Sequence, residues 1–262
     1  MIIITTQCFY PKIGGIEALM TGMAENFSSI GKNVLVLADG TKDTIEDGNR
    51  KYSIKRFYGW KPLRRLKKAR YLEEICKREK VEIIYADSWK SIEYLNKKNK
   101  KILVLAHGTE IPKQYWTLMI DTLRFKKKRI INSYKNVYKI IANSNYTKDL
   151  MHASLKIDYK QIKIIHPGID VYREFVSNEE RRFVEKIIHN KSPVITTLAR
   201  VEKRKGHKYI INAINELKDQ FPNIIYLIAG KGPYLKTIRE YVRELNLTNF
   251  VFFLGWITEP EK

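Results

Sequence analysis

Short apolar runs alternate with helix-length amphipathic segments along almost the whole chain. In the first part, the predicted strands are Ile2–Thr6, Asn33–Ala38, Tyr52–Phe57, Glu82–Asp87, Lys101–Ala106, Tyr138–Ala142 and Gln161–His166. The predicted helices are Ile16–Ile30, Leu63–Lys80, Ser88–Asn99, Lys113–Lys135 and Asn145–Leu155. Most of the strands are continuous apolar runs, which is typical of parallel strands covered on both faces. The alternation predicts an α/β fold with an open, doubly wound parallel sheet.

The rhythm breaks at His166–Asp170, where Pro and Gly indicate a linker. After a helical stretch, the alternation resumes with strands Val194–Ala199, Ile224–Ala229 and Phe250–Leu254 and helices Asn178–Asn190, His207–Phe221 and Tyr234–Leu245. The three later strands and the two helices between them make one βαβαβ half of a second nucleotide-binding sheet. The pattern therefore predicts two domains, residues 1–170 and residues 171–262, with the second one incomplete.

Composition narrows the class of protein. The 262 residues are 44% hydrophobic, which is enough to build a core. No apolar run approaches the roughly 18 residues of a spanning helix, and Met1–Thr6 lacks the basic leader of a signal peptide. The two cysteines cannot make a disulfide framework or a zinc site. We expect a soluble, cytoplasmic protein.

The net charge of +21 leaves two interpretations open. Residues 1–170 carry 33 basic and 17 acidic side chains, and such an excess suits a nucleic acid or an anionic membrane. It equally suits the lysine-rich composition that AT-rich genomes produce. The helical segments after Trp60 and over Lys113–Lys135 place cations beside aromatic and aliphatic residues. That mixture fits a helix lying on an anionic bilayer, and it also fits a core-packing helix with a solvated basic face.

The strongest candidate for chemistry is Ala199–His207, which follows an apolar strand and opens a helix. Arg200 offers a bidentate fork and Lys205 a point charge, and the helix start adds backbone N–H groups. A diphosphate leaving group needs such a place, because negative charge grows on it as its bond breaks. A solvated basic turn is the alternative.

Three weaker clusters also stand at strand ends. Gly230 and Gly232 follow a strand and could let backbone approach a ligand closely. Gly14 and Gly15 lie between the first strand and the first helix, where amides could meet a phosphate or a sugar. His107 caps an apolar strand and would face the crevice of a doubly wound sheet. Plain turns and a structural histidine are the alternatives.

The absence of several sequence motifs disfavours other chemistries. The chain has no Asp-x-Asp pair to hold a metal on a diphosphate, so we expect no metal. It also has no G-x-x-x-x-G-K-[ST] and no G-x-S-x-G motif, which disfavours P-loop NTPases and α/β-hydrolases.

Taken together, the clusters resemble glycosyltransferase family 4, retaining enzymes of the GT-B fold. The matching segments are Gly14–Glu17, His107–Thr109, Ala142–Ser144, Ile165–Asp170, Leu198–Glu202 with Lys205-Gly206, Ala229–Pro233 and Phe253–Gly255. The pairing of Arg200 and Lys205-Gly206 with Gly230–Pro233 is the specific part.

The resemblance implies two Rossmann-like domains facing a cleft, with residues 1–170 binding the acceptor and residues 171–262 binding a nucleotide-diphosphate sugar. It implies that Arg200 and Lys205 neutralise the diphosphate in place of a metal, and that His107 contacts the donor sugar. The amide of Gly15 would meet the phosphate, and backbone near Gly255 would meet the base. The acceptor would be a glycan or a lipid-linked molecule, in the synthesis of the cell envelope or an exopolysaccharide. The protein would need no cofactor and would not bind nucleic acid.

One departure concerns the end of the chain. The family continues with further strands and a Glu-x₇-Glu motif, for which Glu259 and Glu261 cannot stand in. We therefore expect a C-terminally truncated member with a folded first domain and little transferase activity. The alternative is a non-catalytic remnant that binds polyanions or nucleotides.

Overall fold

The structure is a computed structural model that describes residues 1–42, 44–109, 111, 120–168 and 178–257. The chain divides into two compact units, Met1–Asp170 and Val171–Lys262. Each unit has its own parallel sheet and its own hydrophobic core. The predicted α/β class is confirmed.

In its described residues, the first unit is built on a sheet of seven parallel strands. Its strands are β1 (Ile2–Thr5), β2 (Val34–Asp39), β3 (Ser53–Phe57), β4 (Ile83–Ala86), β5 (Ile102–Ala106), β6 (Lys139–Ala142) and β7 (Ile162–Ile164). Its α-helices are α1 (Gly15–Ser29), α2 (Lys61–Arg78), α3 (Ile120–Tyr134) and α4 (Asn145–Leu155). The spatial order is β3-β2-β1-β4-β5-β6-β7, so the order reverses between β1 and β4. Open α/β sheets bind ligands beside such a reversal, at the carboxyl ends of the strands.

Strand β1 shows why these strands are apolar throughout. Ile3 belongs to one core cluster, whereas Ile2 and Ile4 belong to the other. All three side chains are at most 5% exposed. Because both faces of the strand are covered, no position is left for an alternating polar residue.

The second unit has a three-stranded parallel sheet in the part of the chain that the structure describes. Its strands are β8 (Val194–Leu198), β9 (Ile225–Ala229) and β10 (Val251–Gly255), in the order β10-β9-β8. Its helices are α5 (Asn178–Ile188), α6 (His207–Leu217) and α7 (Leu235–Glu244). Strand β9 is central and fully buried, whereas β8 alternates between exposed and half-buried residues.

The helix predicted over Ser88–Asn99 is wrong, because this segment has only a 3₁₀ turn at Trp89–Ser91. Side-chain oxygens accept hydrogen bonds from backbone N–H groups that would bond to backbone carbonyls in a helix. Glu73 Oε1 accepts from the backbone N–H of Asn96 at 2.8 Å. Asn96 Oδ1 accepts from the backbone N–H of Lys98 at 3.1 Å. Such local acceptors compete directly with the helical hydrogen-bond ladder.

Several sequence expectations lie outside the described residues. They include the start of the predicted helix Lys113–Lys135, with its aromatic residues Tyr115 and Trp116, since α3 is described from Ile120 onward. Residues 169–177 and 258–262 are also outside, and with them Glu259 and Glu261.

Candidate active site

Asp87 connects two loops at the reversal of the first sheet. It directly follows β4 and is 2% exposed. Its Oδ2 atom accepts hydrogen bonds from the hydroxyl of Thr6 at 2.9 Å and from the backbone N–H of Gln7 at 2.7 Å. Its Oδ1 atom accepts from the hydroxyls of Ser91 at 2.6 Å and Ser88 at 3.2 Å. One carboxylate therefore ties the loop after β1 to the loop after β4.

His107 follows β5 and lies against the same residue. Its ring Nε2 is 2.9 Å from the backbone oxygen of Asp87. Since a carbonyl oxygen can only accept, Nε2 carries the proton in this hydrogen bond. The next residue, Gly108, has a φ of +86°, and a Cβ there would lie 3.0 Å from Thr147 Oγ1. Glycine thus suits the sharp turn that leaves the histidine at the strand end.

A buried group of charges supports the loop after β1. The Lys68 ammonium donates to Asp39 Oδ1 at 2.8 Å and to the backbone oxygen of Thr6 at 2.6 Å. Arg64 lies 2.7 Å from the other oxygen of Asp39. Burial lowers the pKa of Lys68, and the charge of Asp39 opposes that shift. Asp39, at the end of β2, thus neutralises the two cations directly, and the negative charge of Asp87, after β4 on the other side of β1, also favours the charged form of Lys68.

Sequence reasoning did not select these acids, although their positions were a signal. Asp87 ends a predicted strand, and Asp39 directly follows another. An acid at the carboxyl end of a buried parallel strand points into the region where such sheets bind ligands. Lys68 had no comparable signal, because it is one of many cations on a basic helix.

Gly14 and Gly15 lie at the start of α1, as predicted. Gly14 precedes the helix in extended backbone, and Gly15 is its first residue. A Cβ at Gly14 would lie 2.2 Å from the carboxylate of Glu17, so this acidic side chain covers the helix start. A Cβ at Gly15 would meet nothing within 4 Å, which leaves space beside its amide.

A cavity of about 260 Å³ lies within the first unit, between α1 and the sheet. Leu19 and Met23 of α1 line its apolar part, and His107, Asn143 and His166 contribute polar groups. His166 Nδ1 is 3.1 Å from the backbone oxygen of Asn143. The strand-end segments predicted from the sequence around His107, Asn143 and His166 therefore meet at one place.

In the second unit, the basic loop after β8 is exposed and partly neutralised. Arg200 is 71% exposed and lies 3.2 Å from Glu202, which also accepts from Arg204 at 2.8 Å. Lys205 is exposed at the end of a 3₁₀ turn. Gly206 follows with a φ of +78°, and α6 begins one residue later. Arg200 and Lys205 thus stand at the carboxyl edge of a parallel sheet, next to a helix start.

The two glycines after β9 fit against this basic loop. A Cβ on Gly230 would lie 2.0 Å from the backbone oxygen of Ala199, and one on Gly232 would lie 2.2 Å from that of Val201. Val201 donates its N–H to the carbonyl of Lys231 at 3.1 Å. The close approach made possible by these glycines is therefore to the neighbouring loop, which the sequence analysis did not foresee.

Gly255 ends β10 beside the same glycine loop. Its φ is +73°, and its carbonyl accepts from the N–H of Gly230 at 2.5 Å. The three strand ends of the second unit are thus joined through backbone hydrogen bonds, with Arg200 and Lys205 on the outermost loop.

A buried polar chain lies under the basic loop. His207, which is 1% exposed, has Nδ1 3.1 Å from the hydroxyl of Tyr226, and this hydroxyl donates to Thr197 at 2.9 Å. Burial lowers the pKa of His207, so its ring is neutral at pH 7. This arrangement fixes the first residue of α6 to β8 and β9.

The first unit has exposed cations on α3. Lys126, Lys127 and Lys128 are exposed, and Arg129 pairs with Glu93 at 2.5 Å. None of the described helices is long and apolar enough to cross a membrane. Within the described ranges, no three His, Cys, Asp or Glu side chains form a group that could hold a metal ion.

The architecture is that of solved GT-B glycosyltransferases. Anabaena HepE, solved in complex with UDP, superposes with a TM-score of 0.76 at 18% identity, covering 99% of this chain and 70% of HepE. At that identity the likeness concerns the fold. The fold is therefore of the GT-B type.

The chain belongs to Glycosyltransferase Family 4, whose family model matches residues 13–173, and the model of Glycosyl transferases group 1 matches residues 178–262. This confirms the resemblance found in the sequence. A GDP-mannose-dependent alpha-(1-6)-phosphatidylinositol monomannoside mannosyltransferase of Mycolicibacterium smegmatis is 29% identical over 163 residues, which are 62% of this chain and 41% of that relative. The alpha-monoglucosyldiacylglycerol synthase of Acholeplasma laidlawii is 23% identical over 98% of this chain and 70% of its own length. The chain thus spans between about two fifths and seven tenths of these relatives.

Proposed function

We propose that the protein transfers a sugar from a nucleotide-diphosphate donor to an acceptor hydroxyl, with retention at the reacting carbon. The observation that carries this proposal is the basic loop of the second unit. Arg200 and Lys205 stand on it at the carboxyl edge of a parallel sheet, and Gly230 and Gly232 hold it against the next strand end. In a chain of this family, such a loop can bind the diphosphate of a nucleotide sugar.

The proposal gives a role to five of the predicted site residues. Arg200 and Lys205 neutralise the diphosphate, with no metal required. Glu202 keeps the Arg200 guanidinium near the loop until the ligand arrives. His107 contacts the donor sugar, the amide of Gly15 contacts a phosphate oxygen, and backbone near Gly255 meets the base.

The reaction needs no enzymic nucleophile. The bond between the sugar carbon and the diphosphate oxygen breaks, and its electron pair leaves with the diphosphate. The acceptor oxygen bonds to the same face of that carbon, and its proton passes to the leaving phosphate. The two cations stabilise the charge that develops on the diphosphate, where electrostatic stabilisation is most effective.

We propose a lipid-linked acceptor at the inner face of the cytoplasmic membrane, in envelope or exopolysaccharide synthesis. Support comes from two relatives whose names specify a phosphatidylinositol mannoside and a diacylglycerol. The exposed lysines of α3 suit an anionic bilayer, to which each contributes about 1 kcal/mol.

Calorimetry with UDP, GDP and ADP tests the donor site. We expect one of the three to bind, and both Arg200→Ala and Lys205→Ala to weaken it about 10- to 100-fold, the effect of losing a charge-assisted hydrogen bond. Lys236→Ala is the matched control, because this lysine is 89% exposed on α7. Binding that is equally weak in all three variants would indicate a general polyanion-binding protein. No binding of any nucleotide would contradict the proposal.

A transfer assay tests the rest. The protein is incubated with UDP-glucose or GDP-mannose and vesicles that contain diacylglycerol or phosphatidylinositol. Product with the donor's anomeric configuration supports retention, and an inverted product contradicts it.

A further inference from the structure

We propose that Asp87 is a positioning residue that holds His107 and the loop leading to Gly15 in one fixed arrangement. This inference rests on the proposed function for the roles of His107 and Gly15, whereas its geometry stands alone. No family motif identified in the sequence contains Asp87.

The first step of the argument is the number of hydrogen bonds on one buried carboxylate. Four donors point at the Asp87 side chain, two on each oxygen, at 2.6 to 3.2 Å. They come from both sides of the sheet reversal, since Thr6 and Gln7 follow β1 whereas Ser88 and Ser91 follow β4. A carboxylate with this many donors has one orientation, and so does the backbone that carries it.

The second step concerns the backbone oxygen of the same residue. It receives the Nε2–H of His107 at 2.9 Å, so the backbone direction at Asp87 determines which ring nitrogen carries the proton. The side-chain hydrogen bonds to Ser88 and Ser91 fix the peptide to which this oxygen belongs. Asp87 thereby keeps a proton on Nε2 of His107.

The third step links Asp87 to the loop before α1. Thr6 also accepts from the N–H of Cys8 at 2.9 Å, and its carbonyl receives the Lys68 ammonium at 2.6 Å. The loop therefore leaves β1 in a fixed direction, toward Gly14 and Gly15. A shift at Asp87 would move the predicted sugar contact and the predicted phosphate contact together.

The chemistry of the donors provides a conservative variant. In Asp87→Asn, the amide oxygen can face Thr6 and Gln7, and the NH₂ group can face Ser88 and Ser91. The two serine hydroxyls can rotate to accept, whereas the backbone N–H of Gln7 cannot. Asn should therefore preserve the arrangement, and Asp87→Ala should lose it.

The experiment uses ¹⁵N-labelled protein and long-range ¹H–¹⁵N spectra of the histidine rings, with His107 assigned through His107→Gln. We expect the Nε2–H tautomer of His107 in the wild type and in Asp87→Asn, and exchange between both tautomers in Asp87→Ala. The Gln7 amide should exchange about 10- to 100-fold faster in Asp87→Ala. Leu155→Ala is the control, because it removes a core side chain that is 2% exposed in α4 and should leave His107 unchanged.

The outcomes separate this inference from the proposed function. An unchanged His107 ring in Asp87→Ala, or the same change in Leu155→Ala, overturns the role of Asp87. If Asp87→Ala does not fold, Ser91→Ala decides: a smaller shift of the His107 signals in wild-type-like protein supports the role, and no shift overturns it. Failure of UDP, GDP and ADP to bind, with these spectra as expected, would count against the proposed function alone. In an active sample, Asp87→Ala should lower kcat more than it raises KM.

Discussion

Replacing Gly232 by Ala should destabilise the second unit selectively. The new Cβ would lie 2.2, 2.7 and 2.8 Å from the O, C and N atoms of Val201. Carbon–oxygen contacts in proteins are ordinarily about 3.3–3.6 Å, so the two loops must separate by roughly 1 Å. Val201 is fully buried and cannot move outward freely.

The expected loss follows from what that separation breaks. Val201 donates to Lys231 at 3.1 Å and accepts from the N–H of Tyr234 at 3.1 Å. Two net hydrogen bonds contribute about 1 kcal/mol each, and forced overpacking adds about 1–3 kcal/mol. The free energy of unfolding of the second unit should fall by about 3–5 kcal/mol, a large part of a domain's total stability.

Urea unfolding followed by amide hydrogen exchange provides the measurement. Strand β9 reports on the second unit and β5 on the first. We expect β9 to lose protection at lower urea concentration in Gly232→Ala, with β5 unchanged. Gly22→Ala is the control, because a Cβ there meets nothing within 4 Å and Ala favours the helix by about 0.5–1 kcal/mol. Wild-type protection of β9 in Gly232→Ala would refute the interlocking of the two loops.

Three further predictions concern other groups. Burial raises the pKa of the Cys8 thiol to about 12, and the negative charges of Asp87 and Glu17 add to this shift. The protonated thiol therefore contributes to the free energy of unfolding in full below pH 9.0, and this contribution is lost as the pH rises toward 12. At pH 8 a disulfide reagent should modify native Cys8 about 1,000-fold more slowly than the unfolded chain, and equal rates would contradict this. Lys68→Ala should lower the free energy of unfolding by about 3 kcal/mol in urea titrations, because Asp39 loses a buried partner. A decrease of less than about 1 kcal/mol would contradict a stabilising role of the Lys68–Asp39 pair. The protein should co-sediment with anionic but not neutral vesicles at low salt. Replacing Lys126, Lys127 and Lys128 by glutamine should weaken vesicle binding by about 3 kcal/mol. Equal binding to neutral vesicles would contradict an electrostatic membrane contact.

Much of the fold was predictable because parallel strands covered on both faces need continuous apolar runs. Ile2–Thr6 shows this directly, since its isoleucines serve two different cores. The same sequence pattern located His107, Arg200 and Gly230 at strand ends, where their loops could be recognised by residue type. The helix predicted over Ser88–Asn99 was wrong. The hydrophobic period carries no information about a side chain far away in sequence, such as Glu73, which accepts a hydrogen bond from the backbone N–H of Asn96.

Only the tertiary structure decided which strand ends are joined and by which atoms. The residues Thr6 and Asp87 are 81 positions apart in the chain, yet they share a hydrogen bond because β1 and β4 are neighbours in the sheet. The glycines after β9 looked like ligand-binding residues, and the structure shows them packed against the loop that carries Arg200. Residue type and local period thus determined the strands and the candidate residues. Contacts between segments distant in sequence depend on strand order and loop packing, and no local pattern encodes either of these.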